Sequence, residues 1–93
     1  MTAQEINITP QSQSFSHGDA CRVFDLALRC SNARTIVIDL KHAVDATTSA
    51  FARLVLLRRE LLHLGRDLCL AGLRARAADV YNVNRLATVL PMR

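Results

Sequence analysis

Glu5-Ile-Asn-Ile-Thr alternates polar and apolar side chains and stops at Pro10. The spacing predicts a short strand over residues 4–9 with one buried face, at or near a sheet edge. Gln11 to Ser14 is a polar connection, and Phe15 turns inward. Ser16 followed three residues later by Asp19 resembles a capping box, with Asp in place of the usual Glu or Gln. The helix it opens is expected from His17 to Cys30, with Ala20, Val23, Phe24, Ala27 and Leu28 on its buried stripe. Thr35 to Leu40 is β-branched and too apolar for a solvated face, as an interior parallel strand would be. The loop from Lys41 to Ala46 leaves the carboxyl end of that strand, where open α/β sheets build their sites.

From Thr48 to Leu64 the positions Phe51, Leu54, Val55, Leu61 and Leu62 make a helical stripe, and Gly65 supplies a C-terminal stop. Asp67 to Gly72 is a third strand, Arg74 to Asn84 a third helix, and Leu86 to Leu90 a short terminal segment before Pro91. The order βαβαβα predicts an α/β layer fold, a small mixed β-sheet with helices packed against it, in one domain spanning residues 1–93. A chain of 93 residues buries little more than roughly 60% of its unfolded surface, so every element must serve the same core.

Composition narrows the function. Half of the residues are hydrophobic, yet the aromatics are only Phe15, Phe24, Phe51 and Tyr81, so no platform for stacked bases is available. The net charge is +4, with Lys41 the sole lysine among twelve basic residues, and the cations are spread along the chain. Without clustering or a recognition motif, nucleic-acid binding is not expected. The apolar runs are far shorter than the ~20 residues that span a bilayer. The first residues carry neither a basic nor an apolar leader region, which points to the cytoplasm. Cys21, Cys30 and Cys69 share no metal-like spacing and are expected as reduced, mostly buried thiols, with no metal and no cofactor. His17, His42 and His63 are expected in solvent. His42 near Thr48 could mimic a base beside a nucleophile, but no third group orients them, so an enzyme is not expected.

The junction between second strand and second helix carries Thr47, Thr48 and Ser49. A helix N-terminus presents unpaired N–H groups and a partial positive charge, so a hydroxyl there can cap the helix or carry a phosphate. Thr47 is the expected cap, with Thr48 and Ser49 in the first turn. On a wheel drawn at about 100° per residue, Leu56 falls opposite the core stripe among Arg53, Glu60 and His63, with Arg59 flanking. An apolar side chain ringed by charges beside a hydroxyl-lined helix start has the look of a protein-binding face. Arg58 lies inside the apolar arc, so its guanidinium must reach an edge or pair with an acid.

The combined spacing resembles the STAS domain, the fold of bacterial anti-sigma-factor antagonists and related regulatory modules. The residues that carry the likeness are Ile38-Asp39-Leu40, then Thr47-Thr48-Ser49-Ala50-Phe51-Ala52, then Leu54 to Leu64 with Gly65, then Leu68-Cys-Leu-Ala-Gly-Leu73. The ending Leu86 to Pro91 also resembles the family's close, and the likeness covers about Phe15 to Pro91. It implies a regulatory module that binds an anti-sigma factor doubling as a serine kinase, with Thr48, or its neighbour Ser49, as phosphoacceptor. The partner surface would comprise Thr48, Ser49, Arg53, Leu56, Arg59, Glu60 and His63, and self-association as a homodimer falls within the same expectation. The chain departs from the family where Thr47 replaces an Asp and Ala50 and Ala52 replace glycines. Tyr81-Asn82 and Val89-Leu90-Pro91 are similar to the ending of the small STAS subunit of bacterial phospholipid-transport ABC systems, for which the partner would be the ATPase.

Overall fold

The computed structural model describes residues 5–29 and 32–93. The strand start expected at residue 4, the helix end expected at Cys30 and the thiol of Cys30 lie outside them. The chain runs β1 (Glu5–Ile8), β2 (Ser14–Phe15), α1 (His17–Arg29), β3 (Thr35–Asp39), β4 (Asp45–Ala46), α2 (Thr48–His63), β5 (Asp67–Ala71) and α3 (Ala75–Val83), followed by a 3₁₀ turn at Leu86–Thr88.

The main sheet has the order β1-β3-β5, with Ile6 opposite Ile36 and Ile38 opposite Leu70. β1 is therefore an edge strand and β3 the central one. Among the described residues every strand pairing is parallel, where a mixed sheet was expected. In the main sheet each return passes through a helical crossover, α1 between β1 and β3 and α2 between β3 and β5, so the chain re-enters the sheet from the same end. β2 and β4 form a separate parallel pair, Ser14 with Asp45 and Phe15 with Ala46. Both are two residues long, too short to show an alternation in the sequence.

Right-handed crossovers in this strand order place α1 and α2 on one face, and the two helices pack side by side there. Ile6, Ile8, Ile36, Ile38, Leu68 and Leu70 point to that face and join Phe15, Phe51, Leu54 and Leu57 in one core. Glu5, Asn7 and Cys69 alternate to the other side and keep solvent contact, so Cys69, like Cys21, is half-buried where a buried thiol was expected. Beyond the 3₁₀ turn, Leu70 N–H donates to Pro91 O at 2.8 Å and Arg93 N–H to Leu70 O at 2.7 Å, adding a parallel bridge at the outer edge of β5. Arg93 also forms an ion pair with Glu5 of β1.

Leu62 was placed on the core stripe and is 47% exposed, while Leu57 is fully buried. α1 packs against the Leu57 flank of α2, which rotates the buried arc away from Leu62.

The start of α1 is a closed polar knot. Ser16 N–H donates to Asp19 Oδ2 at 3.0 Å and Asp19 N–H donates back to Ser16 Oγ at 3.3 Å. Ser12 Oγ, Ser16 Oγ and Arg22 also donate to the same buried carboxylate. The Ser16 N–H does most to hold the Asp19 carboxyl below its ordinary value; burial pushes the other way, and Arg22 and the hydroxyls add to the lowering. A lowered folded pKa stabilises the fold above the unfolded value near 3.8, and that stability is lost as pH falls through the folded pKa. Asp19→Asn is expected to cost about 1 kcal/mol at neutral pH and to flatten the acid limb of a pH-dependent denaturant titration. A variant whose acid limb is as steep as the parent's would remove Asp19 as its source.

Candidate functional site

The site is built where the carboxyl ends of β3 and β5 meet the starts of α2 and α3. Thr47 is extended, with φ −95° and ψ 153°, and caps α2: Ala50 N–H donates to its Oγ1 at 3.1 Å. Ser49 Oγ lies 3.2 Å from the same Thr47 oxygen, so that hydroxyl is engaged locally. Thr48 stands exposed in the first turn, and its hydroxyl has no hydrogen-bond partner among the described residues. The turn contains no acidic side chain. A phosphate on Thr48 would therefore meet helix N–H groups and no carboxylate of its own helix turn, which favours the anion by roughly 0.3–1 kcal/mol.

Two neighbours hold this turn. Val44 and Asp45 N–H groups both donate to Gln13 O, at 2.8 and 3.2 Å, and Thr47 N–H donates to Phe15 O at 3.1 Å, so the β2 segment fixes one side of the loop. On the other side, Arg76 and Ala77 N–H donate to Val44 O at 3.0 and 3.4 Å. The first donors of α3 are thus satisfied by the loop before Thr48 rather than by a capping side chain, since Arg74 makes no cap bond. Arg74 Nε donates to Lys41 O at 2.8 Å. Lys41, His42, Arg74 and Arg76, all exposed, consequently share the end of the molecule that bears Thr48.

Sequence reasoning passed over this basic rim because the two segments are far apart in the chain. The usable signal was that both follow parallel strands, whose carboxyl ends share one edge. His42 is exposed and makes no hydrogen bond to Thr48 among the described residues.

Along α2, Leu56 is 45% exposed, and Arg59, Glu60 and His63 are exposed with it. Arg53 does not stand on that open face. Its guanidinium lies 5.6 Å from the centre of the Phe24 ring on α1, and its Nε is buried without a hydrogen-bond partner. The flank of α2 that carries Arg53 is the one α1 covers, so the arginine stem packs against the ring while the charge reaches a shallow recess beside Cys21 and Asp25. Arg58 finds both of its expected outlets. Its Nε donates to Asp67 Oδ1 at 2.8 Å and its Nη1 to Val89 O at 3.1 Å. Burial pushes the Asp67 carboxyl up, but the Arg58 guanidinium and the Leu68 N–H outweigh it and leave the group below its ordinary value.

No family model matches the chain, and no curated protein matches it. Among solved structures, the crystal structure of a sulfate transporter family protein from Wolinella succinogenes superposes with a TM-score of 0.74. At 16% identity the match covers 94% of this chain and 71% of that one. The likeness shows a shared α/β fold. Among the described residues no helix is long and apolar enough to cross a membrane.

Proposed function

We propose that this chain is a STAS-like regulatory module that binds a protein partner through the loop before Thr48 and the outward face of α2, and that it catalyses nothing. The observation that carries this reading is the Thr48 hydroxyl: exposed, unengaged, and set on a helix turn whose cap is already made by Thr47. Thr48 is the phosphoacceptor, ahead of Ser49, whose hydroxyl is shared with Thr47. The partner belongs to the anti-sigma factor and serine kinase class, and the setting is cytoplasmic.

Phosphate on Thr48 costs the free module little and would weaken the complex, because a charge buried without a partner at an interface is worth several kcal/mol. Thr48→Glu should lower affinity for a co-purified partner at least tenfold while Thr48→Ala leaves it near the parent value. Equal binding of the two variants, measured by calorimetry, would rule out a charge switch at Thr48.

A second reading is a STAS subunit that binds the ATPase of a phospholipid-transport ABC system, drawn from the Tyr81-Asn82 and Val89-Leu90-Pro91 ending; the fold shared with a sulfate transporter family protein serves both readings alike. The terminal likeness that suggested it is internal to the fold: Tyr81 Oη donates to Leu90 O at 2.6 Å in the core. The identity of the co-purified partner separates the two readings.

A further inference from the structure

The outward face of α2 continues into a groove of which the partner-surface residues named so far include only Arg59. Val55, Arg58, Arg59 and Leu62 line it from α2, and Thr88 and Val89 line it from the terminal turn, enclosing about 140 Å³. That is well below the roughly 300–1,000 Å³ of small-molecule sites, and suits an inserted side chain. Leu62 and Val89 are 47% and 38% exposed. One exposed leucine is ordinary, but here Leu56, Leu62 and Val89 lie around a single stretch of helix.

The two arginines of the groove differ. Arg58 is committed to Asp67 and Val89 O, which fixes the wall between α2 and the terminal turn. Arg59 is exposed and makes no ion pair among the described residues. The groove is therefore apolar along its floor, with one free cation at its rim.

We propose that this groove receives an amphipathic helix of a protein partner, apolar on the facing side and carrying a carboxylate that pairs with Arg59. The proposal rests on the partner-binding reading of α2 and extends that surface around the helix. Val55 and Leu62 are about two helical turns apart, the separation that i and i+7 side chains of a docked helix would follow. An acid is required because covering Arg59 without one would leave a charge unpaired at the interface. A second copy of this chain is the poorer occupant, since a two-fold contact would set this basic patch against itself.

The test uses the full chain and two labelled helical peptides of about 15 residues, with leucines at i, i+4 and i+7 and either glutamate or lysine between them. Anisotropy should show the glutamate peptide binding about fivefold to tenfold more tightly. Arg59→Glu should reverse that preference, and Leu62→Asp should abolish binding of either peptide. Leu26→Asp, an equally exposed change on α1, should leave binding as in the parent, and circular dichroism checks that each variant is folded. Equal binding of the two peptides, or a preference unchanged by Arg59→Glu, overturns the proposal. So does a dimer in sedimentation that Leu62→Asp dissociates while neither peptide binds. Thr48→Glu should leave peptide binding within about twofold, since Thr48 lies about two turns from Val55. A selective groove whose co-purified partner ignores Thr48→Glu defeats the switch alone. A working switch with an unselective groove defeats the groove alone.

Discussion

Replacing Gly72 by alanine is expected to cost about 2–4 kcal/mol and to lower the thermal midpoint by about 10–30 °C. Gly72 ends β5 with φ at +72°, a left-handed conformation that costs an L-residue roughly 1–2 kcal/mol. A Cβ there would also run into the Asp39 carboxylate and sit 3.0 Å from Lys41 N and 3.2 Å from Lys41 Cα. Backbone atoms cannot rotate away. The carboxylate is itself held, because Lys41 N–H donates to Asp39 Oδ1 at 3.0 Å. Moving it would unmake the turn that carries the chain from β3 toward the site. Gly65 provides the control, with the same φ of +72° and no atom within 4 Å of an added Cβ. Gly65→Ala should lose only the backbone part. Equal losses in the two variants, read by thermal denaturation, would mean that the close approach of β3 and β5 at this corner contributes nothing.

The destabilised Gly72 variant should also disturb the site, because the same corner aligns the rim. Arg74 reaches Lys41 O just beyond Gly72, and the start of α3 is bonded to Val44. Strand ends, loop and helix start form one connected corner, so strain placed at Gly72 is delivered to the loop that precedes Thr48.

Long patterned segments were readable because each had to bury one side. The β-branched run of β3 and the stripe of α2 could be placed from spacing alone, and the Ser16 and Asp19 pair announced its own hydrogen bonds. What spacing does not contain is which flank of a helix a neighbour will cover. Arg53 and Leu62 were misjudged for that reason, since a wheel gives angles around α2 but not the position of α1. The partner of Arg58 was legible as a class, an acid or an edge, but choosing Asp67 needed β5 beside β3. Val44 left no trace in the sequence at all, since it acts through its carbonyl, which every residue possesses. Thr47 and Thr48 are chemically alike, yet their place before the apolar stripe already set Thr47 as the cap, and the backbone bears that out.

Phe51→Ala carries the other large expectation, a loss of about 3–5 kcal/mol in a domain whose whole stability is of the order of 5–14 kcal/mol. Phe51 is fully buried one turn after the cap, and its ring meets Tyr81 of α3 edge to face, with centroids 6.1 Å apart at 64°. Its own N–H donates to Thr47 O at 3.3 Å. Tyr81 in turn holds Leu90 through its hydroxyl, and burial pushes that phenol above its ordinary value. One ring therefore ties the first turn of α2 to α3 and, through α3, to the terminal segment. Alanine would leave a cavity on which all three depend, and the variant should unfold at a much lower denaturant concentration. Phe51→Leu keeps most of the volume, should cost less than about 2 kcal/mol and leave the domain folded, so it isolates the tie between elements. In that variant the backbone amides of Ala50, Arg76 and Ala77 should exchange with solvent faster together, since all three report on the contact between the Thr48 turn, Val44 and α3. If Ala50 keeps its protection while Arg76 and Ala77 lose theirs, α3 moves without the Thr48 turn, and a signal at that turn would have to pass along α2 alone.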